Sequence, residues 1–128
     1  MEKNGSRQQT GRIGEDAVCR YLEARGHRIL GRNCRQGHLE LDIVSQDLDG
    51  VHFVEVKTRR PPLQADPQEC VTFPKQRRLV KAALAYLSKQ KDPHVRDCEC
   101  HFDVAAVVID GERTDIQYYP EAFIPIYY

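Results

Sequence analysis

Residues 40–57 read ELDIVSQDLDGVHFVEVK, two short apolar runs on either side of the turn-forming Asp47-Leu48-Asp49-Gly50. They predict adjacent strands, Leu39 to Val44 and Val51 to Thr58. Strict alternation puts Leu39, Leu41 and Ile43 on one face of the first, with Glu40, Asp42 and Val44 on the other. In the second, Val54 and Val56 share one face, and Phe53, Glu55 and Lys57 the other. Two carboxylates and a lysine among Leu, Ile, Val and Phe need a reason. An apolar strand rejects charges that are neither paired nor bound to a metal. Asp42, Glu55 and Lys57 are therefore the leading candidates for chemistry.

The hairpin register determines how these charges meet. A four-residue loop over 47–50 sets Asp42 opposite Glu55, whereas a tight Asp49-Gly50 turn sets Asp42 opposite Lys57. In the first case two like charges with Cβ atoms ~5 Å apart repel unless a cation lies between them. In the second an ordinary ion pair suffices. The turn sequence does not choose; the expectation carried forward is a cation shared by Asp42 and Glu55.

Upstream, residues 1–10 are polar and expected to be mobile, and a single domain is expected over 11–128. From Arg12 to Arg25, Ile13, Ala17, Val18, Tyr21 and Leu22 recur at helical spacing, and Gly26 supplies the stop. Glu15 lies at the edge of that stripe. Taken alone it is a helix-dipole partner, and it gains interest only if the helix packs beside the strands carrying Asp42 and Glu55. Residues 28–34 predict a further strand before them.

Downstream, residues 59–71 form a Pro- and Gln-rich loop long enough to suggest function. Thr72-Phe73-Pro74 opens a second helix running to about Gln90, with Leu79, Val80, Ala83, Leu84 and Leu87 as its stripe. Its start carries Lys75, Arg77 and Arg78, cations that oppose the helix dipole and favour a phosphate there. Phe102 to Ile109 predicts a buried strand and Asp115 to Tyr119 an edge strand, while the apolar tail 123–128 is expected to pack back. The order α-β-β-β-α-β implies an α/β sandwich around a mixed central sheet.

Composition narrows the class. With 41% hydrophobic and 30% charged residues in 128, the chain suits one globular domain. No apolar run approaches ~20 residues, so no membrane span is expected, and the N-terminus has no apolar leader segment. Five cysteines at unpatterned spacings fit free thiols in a reducing cytoplasm. The net charge of zero hides an uneven distribution. Residues 57–81 hold seven Lys/Arg against two acids, and residues 92–128 two Lys/Arg against eight. A basic face that includes Arg59, Arg60, Lys75, Gln76, Arg77 and Arg78 suits a nucleic acid.

Phosphodiester hydrolysis needs an activated water and relief of charge on the transition state. Asp42 and Glu55 are hard oxygen ligands suited to Mg²⁺ or Mn²⁺, the carbonyl of Val56 can add a third, and Lys57 can orient the water. Other chemistries fare worse. Cys98-Glu99-Cys100-His101 lacks a second ligand pair at zinc-finger spacing, and no Gly-rich phosphate loop or nucleophile elbow occurs. His38 and His52 fall on the hairpin strands without an assigned role, and the other histidines are read as surface or structural.

Gly11-Arg12-Ile13-Gly14-Glu15 with Ala17, then Arg32-Asn33-x-Arg35, resembles the YraN-like family of predicted endonucleases. Gly37-x-x-Glu40-Leu41-Asp42-Ile43-Val44 and Phe53-Val54-Glu55-Val56-Lys57-Thr58-Arg59 continue the likeness, and Lys75-Gln76-Arg77-Arg78 and Phe102-Asp103-Val104 complete it. The family is similar to the PD-(D/E)xK nucleases and to archaeal Holliday-junction resolvases. One departure is Leu41 in place of the motif's proline. The resemblance implies a restriction-endonuclease-like fold, with Asp42 and Glu55 as metal-binding acids, Lys57 as the catalytic lysine and Glu15 as the upstream helical acid. It implies a metal-dependent endonuclease acting on DNA, with branched DNA among its candidate substrates and a homodimer compatible with paired cleavage. The alternative is a non-catalytic nucleic-acid- or protein-binding module on the same fold. Under the enzyme reading, the Glu15, Asp42 and Glu55 carboxylates should converge within reach of one cation.

Overall fold

The computed structural model describes residues 3–62 and 72–123, with side chains from residue 8 onward. Helix α1 spans Lys3–Ala24 and is followed by strands β1 (Arg28–Gln36), β2 (Leu39–Asp47) and β3 (Gly50–Arg59). Helix α2 (Phe73–Ser88) and the one-turn α3 (Pro93–Arg96) lead into β4 (Cys100–Asp110) and β5 (Arg113–Tyr119). The strands form one sheet in the order β1-β2-β3-β4-β5, antiparallel except for the parallel pair β3–β4, which α2 bridges. This is the α-β-β-β-α-β order of a restriction-endonuclease-like sandwich, with β5 added at the edge.

Each sheet face has its own helix and its own core. On one, α1 lays Val18, Cys19 and Leu22 over Ile43, Val54, Ala105, Val107 and Ile109. On the other, α2 lays Leu79, Val80, Ala83, Tyr86 and Leu87 over Leu41, Val44, Val51, Phe53 and Phe102. Period-2 alternation in β3 produces this division, since Val51 and Phe53 go to α2 while Val54 and Val56 go to α1. Two stripe residues depart from expectation. Ile13 and Leu84 are exposed, and the buried face of α2 takes in Ala82 and Tyr86, whose ring is edge-on to Phe53 at 6.0 Å. Phe123 stacks on Phe102 at 5.1 Å, and the rest of the expected apolar tail lies outside the described residues.

The termini of the helices follow local chemistry. α1 begins well before the expected Arg12, at Lys3, although Gly5 and Gly11 are poor helix formers; the polar residues 3–11 leave no apolar period to read. It ends in a Schellman motif. Gly26 takes φ +90°, its N–H bonds Glu23 O at 3.1 Å, and the His27 N–H bonds Leu22 O at 3.0 Å. This swings His27 back toward the sheet. Thr72 caps α2, its hydroxyl accepting from the Lys75 N–H.

α1 rests on β3 through Gly14, where any Cβ would run into the Thr58 side chain. Gly14→Ala is expected to cost about 1–3 kcal/mol of stability by overpacking. Urea denaturation checks it, and Thr58→Ala in the same chain should recover part of the loss.

Candidate functional site

Of the two registers left open, the hairpin takes the one that sets Asp42 opposite Glu55. Asp47 pairs with Gly50 around a two-residue Leu48-Asp49 turn, and the pairing runs back to Ile43 opposite Val54. That register brings Asp42 to the level of Glu55 and not of Lys57. Beyond Ile43 the two strands part. β2 stays with β1 as far as Leu39 opposite Gln36, while β3 stays with β4 as far as Arg59 opposite Val108.

Asp42 sits in the resulting gap, and here the expected alternation fails. Leu41 packs under α2, Ile43 under α1, and Val44 under α2 again. Across on β1, Asn33 adopts φ +51°, a left-handed conformation that asparagine tolerates. Arg32 thus reaches α1 while Cys34 packs toward α2. Both strands change face at this level, so Asp42 belongs to neither face. Its Oδ2 lies between the strands and accepts the Val56 N–H at 2.9 Å, replacing a strand-to-strand bond. The N–H and C=O of one residue in a strand point to the same side. The Val56 carbonyl is therefore turned toward the same gap.

Glu55 and Lys57 lie on the α2 side, as alternation predicts. Glu55 Oε2 is 3.2 Å from Lys57 Nζ and 2.6 Å from Lys75 Nζ, the latter arriving from the first turn of α2. Burial disfavours the Lys75 ammonium, but its bond to Glu55 and the fields of Glu55 and Asp42 hold its pKa above the ordinary lysine value. Asp42, Glu55, Lys75 and Arg78 line one hollow on this side together with His38 and Glu40.

Glu15 approaches from the α1 side. It lines a second hollow with Asp42, Val56, Thr58 and Arg60, so Asp42 is common to both. The Thr58 Oγ1 in this hollow is buried with no hydrogen-bond partner among the described residues. Glu15 Oε1 is held by Asn33 Nδ2 at 3.2 Å and Arg32 Nη2 at 3.6 Å. The expected convergence of Glu15, Asp42 and Glu55 on one cation is not met: Glu15 lies on the α1 side and Glu55 on the α2 side, and Asp42 between them shares one hollow with each. Among the described residues, the group that places three candidate ligand atoms within 4.8 Å of one another is His27, Asp47 and His52.

The electrostatics of Asp42 record this crowding. Burial first, then the charge of Glu55 and the weaker effect of Glu15, push its pKa up to about 7 against the Val56 hydrogen bond. A carboxylate so placed gains from any added positive charge. With Asp42, Glu55 and the Val56 carbonyl the donors are all hard oxygens, the set that fits Mg²⁺ or Mn²⁺. Arg59 ends β3, Arg60 follows it into the hollow with Asp42 and bonds Thr10 at 3.1 Å, and Lys75, Gln76, Arg77 and Arg78 fall in the first turns of α2.

The sequence reading missed a second polar cluster at the hairpin-turn end of β3. His52 bonds Asp103 through Nδ1 at 2.7 Å and Asp47 through Nε2 at 2.8 Å. Asp103 also accepts from the Tyr118 hydroxyl and the Glu121 N–H. The signal was present in Phe102-Asp103-Val104, an acid inside an apolar run, but its three partners lie on β3, on β5 and in the segment after β5. Cys98 and Cys100 are free thiols, as are Cys19 and Cys34; Cys70 lies outside the described residues.

Comparison with known proteins gives a consistent result. A family model described as the uncharacterised protein family UPF0102 matches residues 14–107. A UPF0102 protein of Oleidesulfovibrio alaskensis is 47% identical over 105 residues, covering 82% of this chain and 50% of that protein. One from Myxococcus xanthus is 45% identical over 119 residues, 91% of this chain and 90% of the relative. One from Trichlorobacter lovleyi is 43% identical over 118 residues, 91% of each. The chain thus spans half the length of the first relative and about nine tenths of the other two.

Proposed function

We propose, from the premise that the chain belongs to the UPF0102 family, the YraN-like group, that it is a metal-dependent endonuclease acting on DNA. The observation that carries this reading is the Asp42 carboxylate, set in the gap between β2 and β3 at the level of Glu55 and bonded to the Val56 N–H. Asp42, Glu55 and the Val56 carbonyl would hold Mg²⁺ or Mn²⁺. The chemistry such an ion supplies is a water of lowered pKa and a positive charge beside the scissile phosphate.

The remaining work falls to the chain's own groups. Lys57, beside Glu55, would donate to the attacking water or to a phosphate oxygen. Glu15 adds negative charge on the α1 side and raises the demand for a cation at Asp42. Arg59 and Arg60, with Lys75, Gln76, Arg77 and Arg78 at the start of α2, would bind the phosphate backbone, the α2 N-terminus contributing its dipole. Replacing exposed Arg78 by Ala should weaken binding uniformly across DNA sequences. It should also reduce the slope of log affinity against log salt by about 1, as measured by fluorescence anisotropy.

The testing experiment is cleavage of single-stranded, duplex, flap and four-way DNA with Mg²⁺ or Mn²⁺ against a chelator control. Activity that persists without metal, or in Asp42→Ala or Glu55→Ala, would remove this mechanism. One observation favours a second reading, a nucleic-acid-binding module without catalysis. Lys57 and Lys75 already neutralise Glu55 within 3.2 Å and 2.6 Å. Binding without cleavage under either metal, unchanged by Lys57→Ala, would select it.

A further inference from the structure

His27, Asp47 and His52 come together from three different places in the chain. His27 is returned to the sheet by the Schellman turn after α1, Asp47 ends β2, and His52 lies near the start of β3. Both imidazoles aim Nε2 at one carboxylate. His52 Nε2 is 2.8 Å from Asp47 Oδ1, and His27 Nε2 is 3.3 Å from Asp47 Oδ2. The ligand atoms of all three lie within 4.8 Å of one another.

The opposite ring nitrogens are also committed. His27 Nδ1 meets the fully buried Ser45 hydroxyl at 2.9 Å, and His52 Nδ1 meets Asp103 at 2.7 Å. Asp103 is 1% exposed and is itself fixed by Tyr118 and the Glu121 N–H. A carboxylate on Nδ1 fixes the imidazole tautomer and leaves the Nε2 lone pair free for a metal, the usual arrangement behind histidine ligands. The rings are 4.7 Å apart between centroids, and the side chains are 10% (His27), 11% (His52) and 21% (Asp47) exposed. An ion can therefore enter past Asp47 without the core opening.

We propose that His27, Asp47 and His52 form a binding site for a divalent transition-metal ion of the zinc and cobalt class, separate from the Asp42 and Glu55 site. Two imidazoles and one carboxylate are the donor set of such ions and not of Mg²⁺. Bonds of roughly 2.0–2.2 Å in a tetrahedron place ligand atoms about 3.3–3.5 Å apart, so the group needs only small adjustments. Binding releases to solvent the proton between Asp47 and His52 Nε2 and shifts that of His27 from Nε2 to Nδ1, leaving neutral rings whose Nδ1–H groups donate to Ser45 and Asp103. The ion would tie the α1–β1 connection to the hairpin turn and, through Asp103, to β4. This role is structural and does not depend on nuclease activity.

The test is titration of the full chain carrying Asp42→Asn and Glu55→Gln with Co²⁺, read by visible d–d absorption in excess Mg²⁺ and reversed by Zn²⁺. One tetrahedral Co²⁺ per chain is expected, without a thiolate charge-transfer band. His27→Ala should weaken binding more than 10-fold with the far-ultraviolet circular dichroism unchanged. Asp103→Asn should weaken it about 10–100-fold, as expected for a partner behind a ligand. Independently, Zn²⁺ should shift the His27 and His52 ring resonances of the unsubstituted protein and leave those of His38 in place. No absorption up to millimolar Co²⁺, a thiolate band, or full affinity in folded His27→Ala would each overturn the site.

Discussion

Asp42→Asn is expected to reduce metal-dependent DNA cleavage by on the order of a thousandfold or more while making the metal-free protein more stable. The two effects have one origin. Loss of a carboxylate ligand removes several kcal/mol of transition-state stabilisation, and each ~1.4 kcal/mol is tenfold in rate. In the folded chain the same carboxylate is half-buried beside Glu55 and near Glu15, and its pKa stands at about 7 against an ordinary 3.8.

The sign follows from that shift. A carboxyl whose folded pKa is raised favours the folded state when protonated, and loses that advantage as pH rises from about 4 to about 7. At pH 8, without metal, the ionised Asp42 therefore opposes folding. Asn keeps an oxygen for the Val56 N–H and carries no charge. A gain on the order of 1–2 kcal/mol in urea denaturation at pH 8 in chelator is expected, with little gain at pH 5. Added Mg²⁺ should stabilise the unsubstituted protein and not the variant. A variant that cleaves as well as its parent would refute the site, and one that is destabilised at both pH values would refute the account of its electrostatics.

Asp103→Ala should have the largest effect on stability, about 3–5 kcal/mol, a substantial fraction of the ~5–15 kcal/mol typical of a domain. Asp103 is the buried acceptor for His52, Tyr118 and the Glu121 N–H. Its removal leaves three donors without an acceptor, one of them on a ring already bonded to Asp47. The pH dependence of the metal-free protein should show both partners. Burial works against charged Asp103, but the bonds from His52, Tyr118 and Glu121 outweigh it and hold its pKa below the ordinary value. Its contribution is present above about pH 4 and is lost as pH falls through the lowered value.

Burial likewise works against protonated His52, yet Asp103 and Asp47 raise its pKa above 6.5. That contribution is complete below about 6.5 and is lost as pH rises through the raised value. The network stabilises most between these limits. Denaturation midpoints measured across pH in chelator should show this maximum in the unsubstituted protein and a flatter profile in Asp103→Ala. Equal profiles would place the stabilisation elsewhere.

Much of this protein is written locally. Apolar runs bounded by Asp-Gly and Gly-His fixed where strands begin and end, because a strand's side-chain period is two and turns need Gly or Asp. The same rule assigned Glu55 and Lys57 to one face of β3, and helical spacing found α1 and α2. Tertiary structure alone decided the direction of Asp42. Alternation predicts a face for it, but the parting of β2 from β3 and the left-handed Asn33 opposite turn its carboxylate into the plane of the sheet. Only packing of α2 against the sheet brings Lys75 to Glu55. Only the Schellman turn after α1 delivers His27 to Asp47 and His52, since contacts between residues distant in sequence leave no periodic trace in it. Residues 40–57 therefore determined the carriers of charge and their strands, and the fold determined which of those charges meet.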